Sequence, residues 1–134
     1  MTAHDRTKIL IVDDDAHLLT TLTDFLRFEG FEVLNAADGK QALALLRTVR
    51  PDVILLDVMM PGMDGGEVAQ AIRAIPALKT TPIIFTTAVV SKAEERTHGG
   101  QIGGESFLAK PFNLDELTMR IRSLLQNPNT GATP

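Results

Sequence analysis

The hydrophobic positions of this chain fall into two alternating patterns. Ile9-Leu-Ile-Val12 and Val53-Ile-Leu-Leu56 are unbroken apolar runs. They are too short for helices and suit strands covered on both faces. Pro82-Ile-Ile-Phe85, continuing to Thr86, and Ser106-Phe-Leu-Ala109 predict two more strands; Phe31 to Ala36 predicts a weaker one with Glu32 exposed. Helical stripes lie between them. Leu18, Leu19, Leu22, Phe25 and Leu26 share one face of a helix closed by Gly30. Residues 39–49 turn Ala42, Leu43, Leu46 and Val49 inward and stop before Pro51. Pro61 to Gly65 reads as a loop, and residues 66–74 carry Val68, Ala69 and Ile72. The last helix opens at Asn113 with Glu116 three residues on, a capping box, and its stripe is Leu117, Ile121, Leu124 and Leu125.

Strand and helix thus alternate along the whole chain, which predicts an α/β fold with one parallel sheet and helices on both faces. Right-handed crossovers leave few arrangements. The small doubly wound solution is a five-stranded sheet of order 2-1-3-4-5, with a crevice at the carboxyl ends of the first and third strands. Residues 91–104 fit least well, with four glycines and almost no apolar stripe. Interior glycine costs a helix about 1 kcal/mol against alanine, so the expectation there is a short, frayed fourth helix over 91–98 and then a mobile loop. Residues 1–7 read as a disordered lead, 8–126 as one domain, and 127–134 as a flexible tail or linker stub.

Composition narrows the function. The chain has 134 residues, 13 Lys+Arg against 17 Asp+Glu, and a net charge of −4. It has no cysteine, so disulfides, thiolate metal sites and cysteine nucleophiles are excluded. No apolar run has the length of a membrane helix, and the polar N-terminus lacks a signal core, so a cytoplasmic protein without membrane partners is expected. The acidic balance and an aromatic content of 4%, all Phe, argue against direct nucleic-acid binding by this domain.

The polar residues that end the strands carry the chemistry. Asp13, Asp14 and Asp15 follow the first strand, Asp57 the third, Thr86 and Thr87 end the fourth, and Lys110-Pro111 ends the fifth. In a parallel sheet these ends share one edge. Crowded carboxylates repel each other, and one lysine does not balance three or four of them. A hard divalent ion with oxygen ligands does, and Mg²⁺ is the usual choice where phosphate is handled. With Lys110 and a hydroxyl donor it forms a clamp for a phosphoryl group. Without cysteine, and without histidine at a strand end, the nucleophile must be a carboxylate. Asp57, alone on the central strand, is the best candidate, which makes the product an aspartyl phosphate. Simpler roles suit other residues. Asp15 is read as the N-cap of the first helix. Asp64-Gly65 is turn chemistry, and Met59, Met60 and Met63 are loop packing. His4, His17 and His98 face solvent, and Arg120 and Arg122 lie on the solvated face of the last helix.

Four stretches in order, Ile9-Leu-Ile-Val-Asp-Asp-Asp15, Val53-Ile-Leu-Leu-Asp-Val-Met-Met-Pro-Gly-Met-Asp-Gly65, Pro82-Ile-Ile-Phe-Thr-Thr-Ala88 and Phe107-Leu-Ala-Lys-Pro-Phe112, resemble the receiver domain of two-component response regulators over about residues 7–126. The resemblance implies a flavodoxin-like fold and a phosphoacceptor at Asp57, which takes its phosphoryl group from a histidine kinase or phosphotransfer protein. Asp14 would bind Mg²⁺ directly, Asp13 chiefly through water, and the Met59 carbonyl would be a further ligand beside Asp57. Thr87 and Lys110 would hold phosphoryl oxygens, Lys110–Pro111 would be cis, and Phe107 would be the switch aromatic. Such a chain is no enzyme beyond its own phosphorylation and dephosphorylation. Its partners would include a downstream effector or an output domain, and a phosphorylation-dependent homodimer is an option. The glycine-rich 99–104 segment departs from the family pattern; the expectation is that this face is mobile and orders on phosphorylation. Met59 and Val89, two residues beyond Asp57 and Thr87, are apolar and imply slow self-dephosphorylation. The competing reading is a haloacid-dehalogenase-like phosphatase with Asp13 as nucleophile and Asp15 as acid, which leaves Asp57 unexplained.

Overall fold

The continuous apolar runs become the centre of a sheet because their side chains alternate between two covered faces. A computed structural model describes residues 6–88, 101–102 and 105–126. Its elements are β1 (Lys8–Val12), α1 (Ala16–Phe28), β2 (Glu32–Ala36), α2 (Gly39–Leu45), β3 (Val53–Asp57), α3 (Gly65–Arg73), a 3₁₀ turn (Pro76–Leu78), β4 (Ile83–Thr87), β5 (Gln101–Ile102), β6 (Glu105–Ala109) and α4 (Leu114–Gln126). The sheet order is β2-β1-β3-β4-β6-β5. The five longer strands pair in parallel, in the order the sequence predicts. The expectation of a plain loop before the last strand fails at Gln101–Ile102, which adds a two-residue antiparallel strand to the edge of β6. The proposed helix over 91–98, the tail from 127 and most of the lead lie outside the described residues. Thr7, at the end of that lead, is tied down: its carbonyl accepts the Glu32 N–H at 2.8 Å.

The two faces bury separate cores. Ile9, Ile11, Leu55, Ile84 and Leu108 pack under Leu19, Leu22 and Leu26 of α1 and Leu117 and Ile121 of α4. Leu10, Val12, Ile54, Leu56, Ile83 and Phe85 pack against Ala42 and Leu46 and against Val68 and Ile72 of α3. Each helix starts on a side chain that accepts orphan backbone N–H groups. Asp15 accepts from Leu18, as expected, and Asp38 from Gln41. Asp64 forms a full capping box with Glu67, and Asn113 and Glu116 exchange the two bonds of another. Helix α2 ends at Leu45, earlier than the expected residue 49. Its last turn tightens, with Thr48 N–H donating to the Leu45 carbonyl, and the Arg50 guanidinium takes the Leu46 and Val49 carbonyls ahead of Pro51, which has no N–H to give.

The loop after β3 is pinned by Gly65. Its N–H donates to the Val58 carbonyl at 2.9 Å, and a Cβ there would lie 2.6 Å from the Asp57 carbonyl oxygen and 2.7 Å from Val58 Cα. Both obstacles are backbone, so they cannot swing aside. Gly65→Ala is expected to destabilise the fold by about 1–3 kcal/mol in urea unfolding, despite the higher helix propensity of alanine.

Candidate functional site

The carboxyl ends of β1, β3, β4 and β6 form one rim, and the side chains on it follow from strand alternation. Two residues beyond Ile11 stands Asp13; two beyond Leu55, Asp57; two beyond Ile84, Thr86; two beyond Leu108, Lys110. All four therefore lie on the α1/α4 side of the sheet. Asp13 and Asp57 are buried and Asp14 is exposed. Carboxylate oxygens of these three residues lie within 4.8 Å of one another.

Lys110 is the cation that faces them. Its ammonium lies 2.9 Å from Asp13 Oδ2 and 3.5 Å from Asp57 Oδ1. The second oxygen of Asp13 accepts the Asp15 N–H at 2.9 Å, so both of its oxygens are engaged. On Asp57, the Met59 N–H reaches Oδ1 at 3.3 Å, the same oxygen that faces Lys110. Oδ2 of Asp57 has no protein partner among the described residues. Burial, and next the charge of Asp13, hold the Asp57 carboxyl above the ordinary carboxylate range, against the lowering pull of Lys110 and the Met59 N–H. Burial alone would lower Lys110, but its bonds to Asp13 and Asp57 outweigh that and keep it above its ordinary value.

The other predicted residues fall around this group. Thr87 closes β4, buried, and its carbonyl accepts the Lys110 N–H at 2.8 Å. The Met59 side chain is exposed, while its backbone touches Asp57. The Lys110–Pro111 bond is cis, as the resemblance implied. Phe107 is half-buried and stacks on Phe85, with ring centroids 5.1 Å apart. His17 is exposed; His4, His98 and Val89 lie outside the described residues. Arg120 departs from its expected solvated position: it donates to the Phe107 carbonyl and to Ser106 Oγ at 3.2 Å. A carbonyl on the strand beside α4 is a better partner than water for a guanidinium already half-buried there. Arg122 stays exposed, near Glu29 and over the Phe31 ring. Sequence reasoning missed an open apolar groove of about 450 Å³ beside Lys110, lined by Leu18, Thr21, Leu22, Pro111, Phe112 and Leu114. It joins residues of α1 to the loop before α4, and nothing local to either segment signals that meeting.

Three carboxylate donors close together, two of them buried, with a single ammonium between them, are a donor set suited to a hard divalent cation and an oxyanion. The phosphatase reading finds no support. Asp13 has both oxygens committed, and the Asp15 side chain is spent on capping α1.

Because Asp57 titrates above its ordinary value of 3.8, the stability linked to its proton is full below that pH and lost as pH rises through the elevated folded value. Asp57→Asn is therefore expected to raise Tm at neutral pH, with the gain shrinking as the pH falls into the carboxylate range; calorimetry across pH checks this. Lys110→Met is expected to lower Tm at neutral pH, since it leaves Asp13 and Asp57 repelling each other without compensation.

Comparison with known proteins agrees with this geometry. The family model for the response regulator receiver domain matches residues 9–122. The chain is 41% identical over 121 residues to the DNA-binding response regulator MtrA of Mycolicibacterium paratuberculosis, covering 90% of this chain and 52% of that protein. It is 40% identical over 126 residues to the transcriptional regulatory protein PrrA of Mycobacterium tuberculosis, covering 94% and 53%. The chain thus spans about half the length of these regulators. Among solved structures, the chemotaxis protein CheY4 of Vibrio cholerae superposes with a TM-score of 0.77 at 37% identity, covering 88% of this chain and 98% of that one. With a parallel sheet in the expected order and an acidic cluster at its rim, the chain belongs to the response regulator receiver domain family.

Proposed function

We propose that this chain accepts a phosphoryl group on Asp57 from the phosphohistidine of a histidine kinase or phosphotransfer protein. The observation that carries this reading is the asymmetry of the Asp57 carboxylate: one oxygen is held by the Met59 N–H and Lys110, and the other has no partner among the described residues. In the transfer, that second oxygen forms a bond to phosphorus as the phosphorus–nitrogen bond of the donor breaks, and the imidazole leaves with the electron pair. Asp13, Asp14, Asp57 and the Met59 carbonyl would hold a divalent ion. Mg²⁺, when bound, would supply the positive charge that lets these carboxylates and the phosphoryl oxygens share one site. Lys110 turns from Asp13 to a phosphoryl oxygen, and the Thr87 hydroxyl donates to another. Moving toward that oxygen, Thr87 would free space into which Phe107 packs. The chain acts as a signalling module, turning over only its own acyl phosphate.

The apolar groove beside Lys110 supports docking of a helical phosphodonor, because it opens next to the acceptor and offers Leu18, Phe112 and Leu114 to an amphipathic face. The output partner is a downstream effector or an output domain. MtrA, by its name a DNA-binding regulator, illustrates the second arrangement. A phosphorylation-dependent homodimer fits either. No helix among the described residues is long and apolar enough to cross a membrane, and we place the exchange with the kinase in the cytoplasm.

With acetyl phosphate and Mg²⁺, intact-mass measurement is expected to find one added phosphoryl group, absent in Asp57→Asn and absent with chelator. Label mapped to Asp13 would overturn the reading. Met59→Asn combined with Val89→Glu is expected to shorten the lifetime of the phosphorylated protein severalfold, because polar side chains two residues beyond Asp57 and Thr87 can orient an attacking water and apolar ones cannot.

A further inference from the structure

An arginine lies across each free edge of the sheet. β2 is the outermost strand on one side and pairs with β1 alone among the described residues. Its Glu32 N–H donates to the Thr7 carbonyl, and its Ala36 carbonyl accepts the Asp13 N–H. Residues 32, 34 and 36 therefore turn their backbone groups toward β1, and Val33 and Asn35 turn theirs outward. On the far side the Lys110 N–H donates to the Thr87 carbonyl. That turns residues 106, 108 and 110 toward β4 and leaves Phe107 facing outward. β5 pairs with β6 only at Glu105 and Ser106, so Phe107 lies past its cover.

The outward carbonyls of Val33 and Phe107 are both taken by guanidinium groups. Arg27 of α1 donates to the Val33 carbonyl at 3.0 Å. Arg120 of α4 donates to the Phe107 carbonyl at 2.6 Å and to Ser106 Oγ at 3.2 Å. For Arg27 this is not the local choice. It stands in the last turn of α1, where a basic side chain ordinarily serves the carbonyls of its own helix end. Arg50 does so after α2, taking Leu46 and Val49. Helix α1 closes without Arg27: the N–H groups of Glu29, Gly30 and Phe31 reach the carbonyls of Phe25, Arg27 and Leu26. The guanidinium instead crosses to the strand. An open edge invites a further strand, because its backbone groups lack partners. A guanidinium laid over that edge has taken the acceptor and can accept nothing from an incoming N–H. Covering it would also strip a charge of water.

We propose that Arg27 and Arg120 are edge guards, which keep a second copy of this chain from extending the sheet. They come from the two helices that cover the same face and close its opposite edges. The strand they exclude is β2 or β6 of another copy. Two β2 edges related by a two-fold axis would pair antiparallel and close into a dimer. Two unguarded edges on one molecule would go on adding copies without closing. The guards confine any association of this chain to surfaces other than its strand edges.

Sedimentation equilibrium, without metal or phosphodonor, compares the wild type with Arg27→Met, Arg120→Met, the double variant and Arg73→Met. Arg73 is the control. It donates to the Leu78 and Thr81 carbonyls, bonds of the same kind in a loop away from either edge. Amide exchange at Val33 and Asn35 reports on the β2 edge in the same samples. The expected result is about a twofold gain in mass for each single edge variant and larger assemblies for the double variant. In Arg27→Met the Val33 and Asn35 amides should slow as the mass rises. The wild type and Arg73→Met should gain nothing. Melting temperatures confirm that each variant folds; Arg27→Gln and Arg120→Gln, which lose the charge but keep a donor, replace a methionine variant that does not, with the same expected gain. The proposal would be overturned if either folded edge variant kept the wild-type mass, or if Arg73→Met gained as much. It would also fall if Arg27→Met associated without slowing those amides, if the double variant grew no larger than the single ones, or if the wild type protected the same amides as its concentration rose.

Discussion

Three carboxylates crowded on one rim, two of them held by the Lys110 ammonium, are the constraint on which this molecule depends. Asp13 and Asp57 are taken almost wholly out of water and set close together, and among the described residues only Lys110 stands between them. In that arrangement Lys110 does two jobs. It links the end of β6 to the ends of β1 and β3 across the rim, and it makes the crowding tolerable without neutralising it. The remaining negative charge is what makes the rim receptive to a small hard cation, and through it to a phosphoryl group. Lys110 is already engaged by both carboxylates, so its ammonium is not idle in this arrangement.

The parallel sheet is what makes such a rim affordable. All five longer strands run the same way, so every strand end can deliver a polar residue to the same edge, while the apolar runs behind them remain covered by helices on both sides. Alternation then does the sorting. The residue two beyond a core side chain under α1 and α4 inherits its direction and becomes a rim side chain. Gly65 brings the loop after β3 so close to the Asp57 backbone that no side chain fits between them, which holds the end of β3 in place.

Away from the rim, two contacts give the site a physical path outward. The Phe85–Phe107 stack joins β4 to β6 on the face opposite the carboxylates. Arg120 ties α4 to the Phe107 carbonyl and to Ser106. A displacement of the end of β4 toward the rim would be felt at Phe107 through the ring stack, and at α4 through the guanidinium. These are packed, discrete contacts of the kind that switch between arrangements instead of deforming smoothly.

Much of this was legible in the order of residues. The strands Ile9–Val12 and Val53–Leu56, the caps Asp15 and Asn113, the doubly wound order, and the convergence of Asp13, Asp14, Asp57 and Lys110 follow from local periodicity and from the single direction that alternating strands and helices impose. What depends on partners distant in the chain was not legible. Arg120 leaves the solvated face because β6 presents it with a carbonyl and a hydroxyl. The groove exists only where α1 meets the loop after Lys110. The resemblance singles out Thr87 over Thr86, but only the register shows that Thr86 is the residue paired with Asp57. Local pattern determines which residues reach the rim, since side-chain direction repeats every two residues along a strand. Which of them meet, and through which atoms, is decided between strands, where a shift of one residue reverses every face.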